Sequence, residues 1–373
     1  MNRRAAETAP NVEMQTVVPV TASAAAWQVV GAVVRGVSHE RLGLPCQDAQ
    51  ETRVLPDGTL LVALADGAGS ASFSDQGARC AVNEALNSLA ASLEGEPPAD
   101  ADGWRCLLRE VFDTARAAVI WLAATNAAED VAKGQPAAQD SPAPEDMVAP
   151  EILESFEDPA ALPGEEARAA SEPPPERAYA TTLTCAIATR DQLVVGQIGD
   201  GVVVAGEGER LFSVTRLQRG EYANETHFLT QPGALEQLLV EVIEHPVREL
   251  AVMSDGLIRL ALKMPEQEPF APFFRPLFRV TTAIGLPGGA PDGTEAARQL
   301  AVFLGSERVN ARTDDDKSLV LAVRSESLRE SVEQSLPEER TMEEDGIRRI
   351  SGSFRTADSP PMRDAEQAPP SQD

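Results

Sequence analysis

Histidine is almost missing from this chain: there are three in 373 residues, His39, His227 and His245, and no two of them are spaced as a paired metal-binding motif. Cysteine is nearly as sparse. Cys46, Cys80, Cys106 and Cys185 are scattered with no CxxC among them, a pattern that fits reduced structural thiols better than a zinc site or a disulfide framework. Positive charge is short as well, with 32 Lys and Arg against 59 Asp and Glu. The net charge of -27 repels nucleic acid and anionic membranes, so neither is expected as a partner. No uncharged apolar run approaches the ~20 residues of a membrane-spanning helix, and the arginines at the start precede no uninterrupted apolar stretch of the kind a secretory signal needs. A protein of a reducing, cytoplasmic compartment is expected.

What is there is a chain that is 43% hydrophobic, enough to fill a sizeable core, interrupted by segments that are not. Residues 129–177 hold nine prolines and thirteen acids against three bases, a composition that buries too little apolar surface to offset ordering entropy. They are read as a disordered acidic insertion, with residues 1–25 and 326–373 as disordered ends. The domain between, 26–325, alternates Val-, Leu-, Ile- and Thr-rich runs with helical patterns. Strands are expected at Trp27–Arg35, Leu60–Ala65, Tyr179–Thr189, Gln192–Ile198, Val202–Ala205, Glu249–Met253 and Ser318–Val323. Helices are expected at Asp75–Leu93, Trp104–Asn126, Leu235–Glu244 and Glu295–Leu304. Many short strands with separate helices indicate the α+β class, as a four-layer α-β-β-α sandwich of two mainly antiparallel sheets flanked by helices.

Aspartates mark the ends of these strands. The run Leu60–Ala65 passes straight into Asp66-Gly67, and Glu249–Met253 passes through Ser254 into Asp255-Gly256. Asp48 follows the first strand, Asp200 stands in Gly199-Asp200-Gly201, and Asp314-Asp315-Asp316-Lys317 leads into the last strand. An Asp-Gly after a strand is by itself an ordinary turn. Several at the mouth of one sheet pair are different, because converging carboxylates raise one another's pKa unless a cation neutralises them. With oxygen donors and so few histidines, the implied cation is hard: Mg²⁺ or Mn²⁺, in a pair able to activate water.

The order in which these motifs occur resembles the protein phosphatase 2C family, the metal-dependent serine/threonine protein phosphatases: an acidic pair after the first strand, DGxGG, a GDS-type turn, SDG, and DNxT or DNxS. The resemblance implies hydrolysis of phosphoserine and phosphothreonine in proteins. It makes Asp48, Asp66, Asp255 and Asp315 the catalytic and metal-binding carboxylates, with Asp66 bridging two ions and Gly67 donating its carbonyl. Asp200 and Asp316 would support the site without binding metal. The implied partner is a phosphorylated protein, a Ser/Thr kinase or one of its targets included.

Departures from the pattern are specific. The family's phosphate-gripping arginine falls here at Gly43, a histidine found in some members at Ala68, and a common acid at Gln47. His39 and Arg41 are the nearest upstream cations and are taken as the candidates for phosphate, and Glu176 is the one acid placed for a third metal. The same departures motivate a rival from another class, a catalytically silent phosphatase-like module that binds a phosphorylated partner.

Overall fold

The computed structural model describes residues 27–133, 175–216, 226–284 and 292–324. Residues 1–26, 134–174 and 325–373, where most of the expected insertion and both expected ends fall, lie outside the described residues, as do 217–225 and 285–291.

Two five-stranded antiparallel sheets face each other. The first contains β1 (Trp27–Val34), β6 (Val202–Glu207), β7 (Arg210–Ser213), β9 (Glu249–Met253) and β12 (Lys317–Arg324), in the order β1-β12-β9-β6-β7. The second contains β2 (Asp48–Val54), β3 (Leu60–Asp66), β4 (Leu183–Ala188), β5 (Leu193–Ile198) and β8 (Leu239–Ile243), in that order across the sheet. A separate small hairpin pairs β10 (Leu262–Lys263) with β11 (Glu268–Pro269), each two residues long. The helices are α1 (Val37–Leu42), α2 (Ser74–Ser92), α3 (Ala101–Lys133), α4 (Ile258–Ala261), α5 (Ala271–Thr282), α6 (Gly293–Leu304) and α7 (Glu307–Asn310).

The expected four layers are present. Alternate residues of β3 point opposite ways: Leu60, Val62 and Leu64 meet Val203, Val252 and Val320 of the first sheet, while Leu61, Ala63 and Ala65 meet α2 and α3 through Ala81, Leu89, Leu108 and Phe112. Both faces of the strand are therefore dry, which explains why its sequence is uninterrupted and not alternating. On the far side, Leu319, Leu321 and Val323 of β12 pack under Phe274 and Phe278 of α5 and Leu300 and Leu304 of α6. Each fully buried leucine or phenylalanine in these interfaces contributes about 1.5–3 kcal/mol, and together they fix where the strand ends lie.

Several expectations need correction. Leu235–Glu244 is not a helix: its second half is β8, paired with β5 so that Leu193 opposes Ile243. Its leucines and β-branched residues satisfy either period, and the vacant edge of β5 decides the outcome. The polar strand β2 was not expected, since only its first two residues are buried and an edge position tolerates Gln50, Glu51 and Arg53. Neither was α5. Pro272 and Pro276 argue against it in sequence, yet Pro272 sits in its first turn and Phe273, Phe274 and Phe278 bury on one side. Helix α3 runs to Lys133 and a 3-10 turn begins at Pro175, so the acidic stretch read from 129 to 177 overlaps ordered elements at both margins.

Candidate active site

Strand pairing delivers the aspartates. Asp48 begins β2 and Asp66 ends β3, and the antiparallel register sets these two residues directly opposite each other. In the first sheet, β9 ends at Met253, which opposes Leu319 of β12, so Ser254-Asp255 leaves one strand beside the place where Asp315-Asp316 enters the next. The two sheets thus bring their acidic ends to one mouth. Ser254 ties them together: its hydroxyl donates to Asp48 Oδ2 at 2.8 Å across the sheets and accepts from the Ser318 amide at 3.0 Å.

Backbone contacts hold each carboxylate in place. Asp66 is fixed by the threonines preceding β4: its amide donates to Thr182 Oγ1 (2.9 Å), and its carbonyl accepts from the Thr182 amide (2.8 Å) and the Thr181 hydroxyl (3.0 Å). Gly67 donates to the Gln47 carbonyl at 3.1 Å, and a Cβ there would lie 2.7 Å from Ser74 Cβ, so only glycine lets the turn lie against α2. At Gly256 a Cβ would strike the Asp316 carbonyl, which shows how tightly the Asp255 and Asp315 loops are packed.

The electrostatics follow from that convergence. Burial pushes the Asp66 carboxyl well above the usual range, and the charges of Asp48, Asp255, Asp315 and Asp200 push it further. Asp48, 3% exposed, is raised by burial and by Asp316 and Asp255, against the Ser254 hydrogen bond. Asp255 is pushed up to about 7, by burial first and then by Asp200 and Asp315. Asp315, the most exposed of the four, and Asp200, whose Oδ2 accepts from Thr226 at 3.0 Å, are also raised, chiefly by burial. Asp66 thus feels the charges of Asp48, Asp255, Asp315 and Asp200, and Asp255 those of Asp200 and Asp315, which puts the acidic strand ends of both sheets within electrostatic reach of one another.

Asp316 behaves differently. Burial would raise it, but hydrogen bonds from His39 Nδ1 (2.9 Å) and the Gln47 and Gly36 amides (both 2.6 Å) outweigh that and hold it below its ordinary value. It stays ionised and pins the segment that delivers Asp48. His39 is accordingly buried against Asp316, and its pKa is raised by that hydrogen bond. The expectation that His39 meets phosphate is corrected, because its ring is committed to the protein interior. Arg41 is exposed on α1. Glu176 lies in the 3-10 turn Pro175–Tyr179.

Three participants were not anticipated. Lys317, fully buried, donates to Asn310 Oδ1 and the Asp315 carbonyl, both at 3.1 Å, and burial lowers its pKa. Thr181 and Thr182 read in sequence only as strand residues, although two adjacent threonines before a buried strand are a hydrogen-bonding signal.

The donor set suits a hard divalent ion. All the acids are oxygen donors, and Oδ1 of both Asp48 and Asp255 is buried without a hydrogen-bond partner. Among the described residues no three His, Cys, Asp or Glu side chains already stand grouped around one point; Asp48 is hydrogen-bonded to Ser254, and Asp255 lies within hydrogen-bonding reach of Asp66. A polar cavity of about 390 Å³ opens beside Asp255 and Asp315 and is lined also by Arg259, Asn310 and Arg312.

Comparison with known proteins decides the family: the Protein phosphatase 2C profile matches residues 35–305. The chain belongs to the protein phosphatase 2C family. Serine/threonine-protein phosphatase 3 of Escherichia coli (strain K12) is 31% identical over 305 residues, covering 80% of this chain and 99% of that protein. Among solved structures, phosphatase Stp1 from Staphylococcus aureus is similar with a TM-score of 0.44 and 14% identity over 84% of this chain and 99% of that one. The catalytic domain of PstP, solved in complex with 2 manganese ions, gives 0.42 and 16% over 80% and 97%. At these scores the structural likeness adds nothing to the assignment, which rests on the profile and the E. coli relative. The expected enzyme class, protein serine/threonine phosphatase, agrees with membership of this phosphatase 2C family.

Proposed function

We propose that this phosphatase hydrolyses phosphoserine and phosphothreonine in cytoplasmic proteins with two Mn²⁺ or Mg²⁺ ions held by Asp48, Asp66, Asp255, Asp315 and the Gly67 carbonyl. The observation that carries the reading is the convergence of these carboxylates from both sheets, with buried oxygens unpartnered and their pKa values raised. When bound, such ions activate water and neutralise charge on the phosphoryl group. Asp66, opposite Asp48 in the strand register and within hydrogen-bonding reach of Asp255, is the carboxylate that would hold metal together with both of them. Ser254 orients Asp48, Thr181 and Thr182 fix the Asp66 backbone, and Asp316 holds the Gly36–Gln47 segment, so the protein supplies a preformed frame. Asp200 acts through charge and its Thr226 hydrogen bond. With Ala68 where some members carry histidine, protonation of the leaving alkoxide falls to solvent.

The test is phosphate release from a phosphopeptide. Purified protein with Mn²⁺ should release it, chelator should stop it, and Asp66→Asn should reduce it to background while leaving the fold intact by circular dichroism. A folded wild type that is inert with every divalent ion tried ends the reading.

A further inference from the structure

The phosphoryl group of a substrate needs a cation besides any metal, and Gly43 occupies the place where the sequence resemblance expected one. Three nearby cations are unavailable or misplaced. His39 is locked to Asp316, Lys317 donates inward to Asn310 and the Asp315 carbonyl, and Arg41 is not among the residues that line the cavity beside Asp255. Two guanidiniums do line it. Arg259 stands four residues after Asp255 in α4, and Arg312 three residues before Asp315.

Three features make them more than neighbours. Both share one cavity with Asp255, Asp314 and Asp315, yet neither guanidinium makes a hydrogen bond or ion pair among the described residues, so their forks have not collapsed onto the acids. Both also border a second, apolar cavity of about 790 Å³ between α5 and α6, lined by Phe273, Leu277 and Leu300. A long side chain at the boundary of a dry groove and a wet one keeps its stem on the apolar side and its head on the polar side, which aims the guanidinium without an ion pair. Their charge, moreover, is what an anion entering a carboxylate-lined cavity requires.

Resting on the proposed hydrolysis, we propose that Arg259 and Arg312 form the clamp that receives the phosphate monoester dianion, gripping its oxygens by charge-assisted, bidentate hydrogen bonds. They replace a cation on the β1–β2 side of the mouth with two on the β9–β12 side.

The probe is inorganic phosphate, titrated calorimetrically into the Mn²⁺-saturated full-length protein and, separately, used as a competitive inhibitor of phosphopeptide turnover. Arg259→Ala and Arg312→Ala should each weaken phosphate binding about tenfold or more, with Lys at either position recovering part of it. Arg298→Ala removes the same charge from the exposed Arg298–Glu295 pair on α6 and should bind phosphate as the wild type does. Unchanged phosphate affinity in both Ala variants overturns the clamp, and so does an equal loss in Arg298→Ala, which would reveal bulk charge alone. Both residues are exposed, so the variants should fold, and circular dichroism checks this. If phosphate binding depends on the arginines but no phosphopeptide is turned over with any divalent ion, the clamp stands and the hydrolysis reading falls.

Discussion

Raising the pH should weaken the metal-free protein and strengthen its grip on metal, and the two effects can be read in one set of melting curves. Asp255 moves from an ordinary 3.8 to about 7 in the fold. A folded-state pKa above the unfolded one means that the native state holds the extra proton between those values, so stability is lost as pH rises through the folded pKa. Between about pH 5 and about pH 8, a shift of this size removes about 2.6 kcal/mol from the unfolding free energy, and halving it for the partial solvent exposure of the carboxyl leaves about 1.3 kcal/mol. For a domain of this size that is a fall of ~3–5 °C in Tm. Asp48, Asp66, Asp200 and Asp315 are shifted in the same direction, and His39, raised by Asp316, also contributes stability that fades as pH rises. Asp316, held low, loses its contribution only in acid, outside this window. Protons and metal compete for the same oxygens, so the Asp255 proton alone should weaken Mn²⁺ affinity about tenfold between about pH 8 and about pH 6. The assay is differential scanning fluorimetry in EDTA and in Mn²⁺ across this range. A metal-free Tm that climbs steadily toward pH 8, or a metal-induced Tm increment that does not grow with pH, would refute the convergence of carboxylates as the source of their perturbed titration.

His39→Ala leaves Asp316 ionised and buried with only its two amide partners, and should cost about 3 kcal/mol in urea unfolding while lowering metal affinity through the loosened Gly36–Gln47 segment. Thr182→Val removes the acceptor for the Asp66 amide, so a loss of about 1–3 kcal/mol is expected, with a fall in kcat that chelator-free excess Mn²⁺ does not restore. Gly256→Ala drives a methyl into the Asp316 carbonyl and should separate the two acidic loops, measurable as weakened Mn²⁺ binding by calorimetry. Asp66→Asn replaces a buried carboxyl whose ionisation its neighbours oppose, and should raise the metal-free Tm at the alkaline end of this range while abolishing turnover.

How far the sequence discloses this site depends on where the information sits. Asp66 and Asp255 are legible because each ends a continuous apolar run at a glycine, and both faces of those strands are buried, so the run and its stop are unmistakable. Asp315 and Asp316 are adjacent and chemically identical in sequence. Only the fold separates them, turning one to the mouth and the other inward to His39 and two amides. His39 was misjudged for that reason: a histidine in a polar-looking loop gives no sign that a partner 277 positions later will bury it. Helix α5 is hidden by its prolines and β8 by leucines that serve two periods, and both are settled by the surface each one covers.

The place of β12 has a consequence for biosynthesis. It lies in the middle of its sheet, flanked by β1 and β9, although it is the last described strand to leave the ribosome. Until it emerges, the edges of β1 and β9 that it pairs with stay open, and the segment carrying Asp315 is not held beside Asp255. Truncation anywhere before residue 317 therefore removes the strand that joins β1 to β9 and should leave that sheet in two parts.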